Sequence, residues 1–422
     1  MKVFKFGGAS VKDAAAVKNV ASILDKFAGE KIVVVVSAMG KVTNALEEIH
    51  RNRIKGEKTS DLIKTLKQYH DTIAKELFGD NAQNRLHKVH ALFEEMNEKI
   101  GYPRSTNEDA DYDAIVSYGE LFSTALVHEY LSAEGFNVAF ADARQIIRTD
   151  NRFRDARVDW GKSGMGAEQL KAKFEKHDLI IIQGFIGSDA MGAPTTLGRE
   201  GSDFTAAILA YLLHAENVTI WKDVPGMLNA DPKWFADTIK LDKISFKEAI
   251  ELAYYGASVI HPKTIKPLQN KNIPLFIKSF IHPEAIGSVI QEDDTFDHLV
   301  PSFICKANQL LLSIIPKDFS FVVEDNLREI FDFLSQTGIR IHLMENSALN
   351  FSICIDKDDH KFNRLLDLLK PKYNFRFNEN LHLLTARHYT EENIKMLIKD
   401  KEVLLEQRNR QTIRFVVRPV AV

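Results

Sequence analysis

Two stretches of this chain are apolar at nearly every position. Ile32–Ser37 reads Ile-Val-Val-Val-Val-Ser, and Asp178–Gln183 encloses Leu179-Ile180-Ile181-Ile182. A strand with one wet face alternates apolar and polar residues. A strand that is apolar throughout is covered on both faces, as in a parallel sheet held between helix layers. Val218–Lys222 predicts a third buried strand, and Lys2–Phe6 another at the start. Lys12–Phe27 has the pattern of an amphipathic helix, and residues 60–100 are helix-rich and charged. Strand-helix alternation of this kind predicts an α/β fold with a mostly parallel sheet.

The last third is built differently. Of the 21 glycines, only Gly338 lies beyond Gly287, so the tight turns and close backbone approaches that glycine permits concentrate earlier. A boundary falls near residues 288–303, where Gln291-Glu292-Asp293-Asp294 forms a polar turn. Beyond it the pattern runs strand Gln309–Ile315, helix Glu324–Gln336, strand Ile339–Glu345, strand Leu349–Asp356 and helix Asp359–Leu369. That β-α-β-β-α order is ferredoxin-like. A shorter echo follows: strand Leu381–His388, helix Thr390–Asp400, and strands Glu402–Gln407 and Thr412–Val417. With 422 residues, several domains are expected. They are placed at 1–290, 303–375 and 376–422, and the last strand is free to return to the middle one.

Composition removes several classes of function. The 55 basic and 58 acidic side chains leave a net charge of −3, which offers no basic field for nucleic acid. Two cysteines, Cys305 and Cys354, exclude a disulfide framework and point to a reducing cytoplasm. No Cys/His set has zinc-ligand spacing, and no metal site is expected. The opening residues lack the apolar core of a signal peptide, and no apolar run is long enough to span a bilayer.

The informative residues sit where strands end. Lys5-Phe6-Gly7-Gly8-Ala9-Ser10 joins a strand to a helix. Its glycines let backbone N–H groups approach an anion, with Lys5 as a point charge; the alternative is a plain βα turn. Val36-Ser37-Ala38-Met39-Gly40, with Thr43 beyond, ends the next strand, where Ser37 is either a ligand group or a helix cap. Gly184-Phe185 follows a third strand. Thr196-Leu197-Gly198-Arg199-Glu200-Gly201-Ser202-Asp203 then enters an apolar helix. Arg199 can clamp a carboxylate, while Ser202 and Asp203 are either site residues or caps. Trp221-Lys222-Asp223-Val224-Pro225-Gly226 ends a fourth strand, with Ala230-Asp231-Pro232-Lys233 beyond.

Other patterns fail on their own chemistry. Asp109-x-Asp111-x-Asp113 with Glu120 has calcium-loop spacing, but Ala114 occupies the position that needs glycine. Gly161-Lys162-Ser163 resembles the end of a P-loop, but Ala156 replaces its first glycine. His-Arg-Asp and Asp-Phe-Gly are absent, so the protein-kinase motif set is missing.

Taken in order, these segments resemble the aspartokinases of the amino acid kinase family. Ser117-x-Gly119-Glu120 and Gly256-Ala257-x-Val259-Ile260-His261-Pro262 join the match, which runs along essentially the whole chain. The resemblance implies a three-layer αβα amino acid kinase fold followed by ferredoxin-like ACT modules. It implies phosphorylation of the L-aspartate β-carboxylate with ATP and Mg2+, the step that opens lysine, threonine and methionine synthesis. It assigns Lys5 to the transferring phosphoryl group and Asp203 to orienting Lys5 or the magnesium waters. Arg199 would clamp a substrate carboxylate and Glu120 would receive the α-ammonium. Ser37, Thr43, Phe185 and Ser202 would complete the aspartate pocket. Gly7, Gly8 and Ser10 would cradle phosphates, with Lys222, Asp223, Leu228, Lys233 and Lys263 near the nucleotide.

The chain departs from the family pattern at Ala9, Glu200, Lys222, Leu228 and Ser258. These stand where Thr, Gly, Thr or Ser, an aromatic, and Lys are common. The ACT resemblance implies a feedback amino acid, lysine or threonine, and a homodimer or homotetramer. The helix-entry loop Pro316-Lys317-Asp318-Phe319-Ser320 lacks the glycine that often contacts the effector, so a purely dimerising role stays open. No membrane or nucleic-acid partner is expected, nor a fused dehydrogenase. The rival readings are a kinase for another amino-acid carboxylate and an inactive amino-acid sensor.

Overall fold

The computed structural model describes residues 1–257, 260–318 and 320–419. They form two compact units. The first takes Met1–Met227, Lys240–Ile250 and 260–294. The second takes Leu228–Ile239, 251–257 and the described residues from 295 onward.

The first unit is organised by eight strands: β1 Lys2–Phe6, β2 Ile32–Val36, β3 Val138–Ala141, β4 Leu179–Gln183, β5 Asn217–Lys222, β6 Lys243–Ser245, β7 Leu275–Ser279 and β8 Ser288–Gln291. Their order across the sheet is β6-β8-β7-β5-β1-β2-β4-β3. Every pairing is parallel except β7 with β8. All five residues of β2 and all five of β4 are buried, as expected of strands covered on both faces. Helix Tyr118–Ala133 packs on β2, β3 and β4, and helix Gly201–Leu213 on β1, β2 and β5, within a three-layer αβα arrangement. The latter helix is apolar almost all round because nearly all of it is buried.

Register decides where chemistry can happen. Phe6 lies opposite Val36 on one side and Trp221 on the other, and Val36 lies opposite Gln183. Four parallel strands thus end level. The segments after them emerge along one sheet edge, where open α/β sheets place ligands.

The second unit holds a six-stranded antiparallel sheet: β9 Ser302–Pro316, β10 Ile341–Asn346, β11 Phe351–Asp356, β12 Tyr373–Arg387, β13 Lys401–Arg408 and β14 Thr412–Pro419. The order is β10-β11-β9-β12-β14-β13. Helices Glu324–Thr337 and Asp359–Leu369 close one core around Leu312, Ile353, Phe362 and Leu365. Helix Glu391–Ile398 closes another around Phe303, Ile413 and Phe415. The first half follows the predicted β-α-β-β-α order.

Two strands are longer than their apolar cores suggest. β9 and β12 each run 15 residues and belong to both halves of the sheet. Their mutual ladder slips near Asn308 and Asn380, which adopt φ of 56° and 59°. Asparagine tolerates the left-handed region better than most side chains, so it suits a bulge. The final strand β14 pairs with β12 and β13. Its partners therefore lie in the second half of the sheet, and it does not return to β10 or β11.

Candidate active site

At the C-terminal edge of the parallel sheet lies a cavity of about 510 Å3 within the first unit. Among its walls are Lys5, Gly8, Ser37, Thr43, Glu120, Phe185, Arg199, Ser202, Asp203 and Lys222. These ten residues come from six separate stretches of sequence, most of them following the level strand ends. Gly8 is required sterically, because a Cβ there would stand 2.8 Å from the Ala38 carbonyl oxygen.

The electrostatic centre is Asp203. Lys5 Nζ lies 2.5 Å from its Oδ1, and Lys222 Nζ lies 3.3 Å from its Oδ2. Lys5 and Asp203 are both buried. Burial works against the charge on Asp203, but the two ammonium groups outweigh it and hold the carboxyl below its usual range. Asp203 does not cap its helix. Glu200 occupies the N-cap with no side-chain cap bond. Ser37 is no cap either, since Lys41 precedes helix Val42–Lys55. Lys222, a departure from the family pattern, thus supplies a second cation to the carboxylate.

Glu120 is the other buried carboxylate. Its Oε1 accepts from the Ala38 N–H at 3.2 Å, while Oε2 has no hydrogen-bond partner among the described residues. Burial pushes its carboxyl up to about 8, against the pull of that N–H and of Lys5. The unfilled Oε2 leaves a buried polar atom in the cavity wall that lacks a protein partner among the described residues. Arg199 is exposed at the cavity and has no ion pair among the described residues. Phe185 is held in its turn by its own N–H donating to Thr205 Oγ1 at 2.9 Å.

The other expected residues lie elsewhere. Gly7 adjoins Lys5, with 3.3 Å between a Cβ built there and Lys5 Nζ. The Ser10 hydroxyl donates to the Trp221 carbonyl at 3.3 Å in the interior, and so is turned away from the cavity. Asp223 is exposed immediately after β5. Lys263 pairs with Asp155 and donates to the Leu197 carbonyl at 3.3 Å. Leu228 and Lys233 belong to the second unit, where Lys233 Nζ lies 5.5 Å from the Trp234 ring. Ser258 lies outside the described residues. No three His, Cys, Asp or Glu side chains converge as a metal site among the described residues.

Sequence reasoning missed Glu47, Tyr112 and Arg154, which also line the cavity. Tyr112 donates to Glu47 Oε1 at 2.6 Å. The calcium-like spacing proves to be part of helix Glu108–Val116. Its buried Asp113 accepts from Arg154 N at 3.0 Å and from Thr196 N and Oγ1 at 2.7 Å each. Burial pushes this carboxyl up to about 6, against those donors. Asp113→Ala orphans two buried donors of Thr196 and the part-buried Arg154 N–H. A loss of roughly 2–4 kcal/mol is expected from denaturant midpoints at constant m value; a loss under about 1 kcal/mol would mean that water replaces the carboxylate.

Residues 1–279 match the amino acid kinase family model, which defines the class of protein. Lysine-sensitive aspartokinase 3 of Escherichia coli is 33% identical over 84% of this chain and 78% of that protein. Bifunctional aspartokinase/homoserine dehydrogenase 2 of Arabidopsis thaliana is 28% identical over 88% of this chain, which spans 42% of that longer enzyme. A solved structure of E. coli aspartokinase III, in complex with aspartate and ADP, superposes with a TM-score of 0.83 at 28% identity, covering 99% of this chain and 96% of that one. The chain belongs to the amino acid kinase family, among its aspartokinases.

Proposed function

We propose that this chain transfers the γ-phosphoryl group of ATP to the β-carboxylate of L-aspartate, forming 4-phospho-L-aspartate. The observation that carries the proposal is the pairing, in one cavity, of a lysine-neutralised Asp203 with a buried, half-satisfied Glu120. A β-carboxylate with a pKa near ~4 is already ionised at neutral pH, so the nucleophile needs no general base. The difficulty is to bring it against a polyanion, which calls for charge neutralisation and positioning. Lys5 and Lys222 meet the phosphoryl charge, and Asp203 holds both ammonium groups in place. Glu120 takes the α-ammonium, Arg199 a carboxylate, and Ser37, Thr43, Phe185 and Ser202 shape the remaining wall. The turn at Gly7 and Gly8 faces the phosphates.

Magnesium fits such a site as a companion of the triphosphate. Mg2+ commonly keeps several waters and takes few protein carboxylates. Asp203 is the carboxylate placed to orient such waters. When bound, the ion would neutralise phosphate charge.

The test is a hydroxamate assay with ATP, Mg2+ and L-aspartate, run beside glutamate and N-acetylglutamate. Aspartyl hydroxamate alone is the expected product. Another acceptor would mark a relative with altered specificity, and no turnover with retained amino-acid binding would mark a sensor.

Feedback by an amino acid belongs to the same proposal. The second unit contains a cavity of about 770 Å3 bordered by Lys317, Asp318, Asp325, Glu329 and Lys372. Cations and carboxylates on one wall suit a zwitterion, and the lysine-sensitive relative favours lysine over threonine. Assembly as a homodimer or homotetramer through the edge strands β10 and β13 completes the proposal.

A further inference from the structure

The second unit holds another cavity, of about 400 Å3, on the half of its sheet that helix Glu391–Ile398 closes. That volume is in the range of small-molecule sites. Every wall residue belongs to the second unit. β9 supplies Phe303 and Cys305, β12 supplies His382 and Leu384, and the 228–239 segment supplies Trp234 and Phe235. Phe303 and Leu384 are buried core residues, and Phe235 and Cys305 pack on the same core. The Phe235 and Phe303 rings lie 5.7 Å apart, and Trp234 meets the His382 ring edge-on at 5.4 Å. Two large apolar walls stay uncovered: Trp234 is 39% exposed and Met396 55%. Large apolar side chains exposed together at a cavity mark a surface that a ligand covers.

One cation stands among this carbon. Lys401 opens β13, and its Nζ donates to the Lys399 carbonyl at 3.1 Å. It has no carboxylate partner among the described residues. Its charge reaches the interior. Burial pushes the Cys305 thiol up to about 11 against the pull of Lys401, and burial lowers His382 with Lys401 acting the same way. Both neighbours are therefore uncharged near neutral pH. The carboxylate among the walls, Asp237, is exposed.

We propose that this cavity binds a small organic monocarboxylate with an aromatic or branched apolar body, its carboxylate on Lys401 and its body among Trp234, Phe303 and Leu384. An ammonium beside apolar walls attracts a carboxylate more strongly than it would in open water. Flat rings pack well edge-on or offset against aromatic walls. The cavity bordered by Lys317 and Lys372 differs, since charged groups dominate its wall. A lysine side chain would have to strip water from its own ammonium to enter the apolar one. The proposal is independent of the aspartate kinase reaction.

The test is calorimetry on the full chain with 3-phenylpropionate as the probe, beside its neutral amide and the matching cation, 3-phenylpropylamine. Trp234, one of three tryptophans, adds an emission signal. The acid should bind one equivalent with a Kd of about 0.1 mM, and the amide and the amine at least about tenfold more weakly. Lys401→Met should weaken the acid about tenfold and leave the amide within about twofold. Lys401→Arg keeps the charge and should stay within about threefold of the parent. The emission change should vanish in Trp234→Phe. No binding of the acid at low-millimolar concentration overturns the proposal. So does an amine that binds as tightly as the acid, which would make Asp237 the governing charge. An emission change that survives in Trp234→Phe places the probe elsewhere and overturns it too. Equal weakening of acid and amide by Lys401→Met, without recovery in Lys401→Arg, is what a merely structural role gives and has the same consequence.

Discussion

Replacing Lys5 by alanine should lower kcat about a hundred- to a thousandfold while aspartate KM changes less than about threefold. The split follows from position. Lys5 is the penultimate residue of β1, fixed by pairing with Val35 and Ile220, and its ammonium is committed to Asp203. In the proposed reaction it would meet charge that develops on the transferring group, whereas aspartate would be gripped elsewhere. Removing it leaves the buried Asp203 with Lys222 alone. Some stability is therefore lost as well, and the thermal midpoint must be measured alongside. Lys5→Ala combined with Asp203→Asn separates the effects. The double variant should recover folding stability without recovering kcat. Unchanged turnover in Lys5→Ala would dismiss this residue from the chemistry.

In the proposed function Glu120 serves binding instead, and pH is the means of testing it. Its carboxyl is pushed up to about 8 by burial, so in the empty protein at neutral pH it is largely protonated. An incoming α-ammonium needs the ionised form. Aspartate KM should therefore fall as pH rises toward and past about 8, and binding near neutrality should release a proton to the buffer. Calorimetry in buffers of different ionisation enthalpy reads that proton directly. Glu120→Gln should raise aspartate KM about ten- to a hundredfold, flatten the pH profile and abolish proton release. A parent protein whose KM is level across this range, with no proton exchanged, would remove Glu120 from the ammonium site.

The parts legible in sequence share a cause. All-apolar β2 and β4 reveal burial on both faces, and small residues after strands mark the ligand edge, because both signals are local. Arg154, Tyr112 and Glu47 carried no such signal. Glu47 comes from helix Val42–Lys55 and Tyr112 from helix Glu108–Val116, while the Arg154 backbone is tied to that second helix by a long-range bond to Asp113. The spacing around Asp113 looked like a metal loop, yet Asn107 caps a helix there by accepting from Asp109 N and Ala110 N. Lys222, expected near the nucleotide at a position where Thr or Ser is common, lies against Asp203. The full lengths of β9 and β12 were hidden for a related reason. The bulges near Asn308 and Asn380 break the alternation by which a strand is recognised.

Those two strands also bear on what can be inherited separately. β12 crosses from one half of the C-terminal sheet to the other without interruption, as does β9. A gene ending after residue 375 would cut β12 near its start and strand the Ser302–Lys306 stretch of β9 without its ladder. That stretch would become a bare edge able to template pairing with other chains. The two halves thus share their longest ladder. A truncation inside the pair is therefore expected to leave an aggregation-prone remnant.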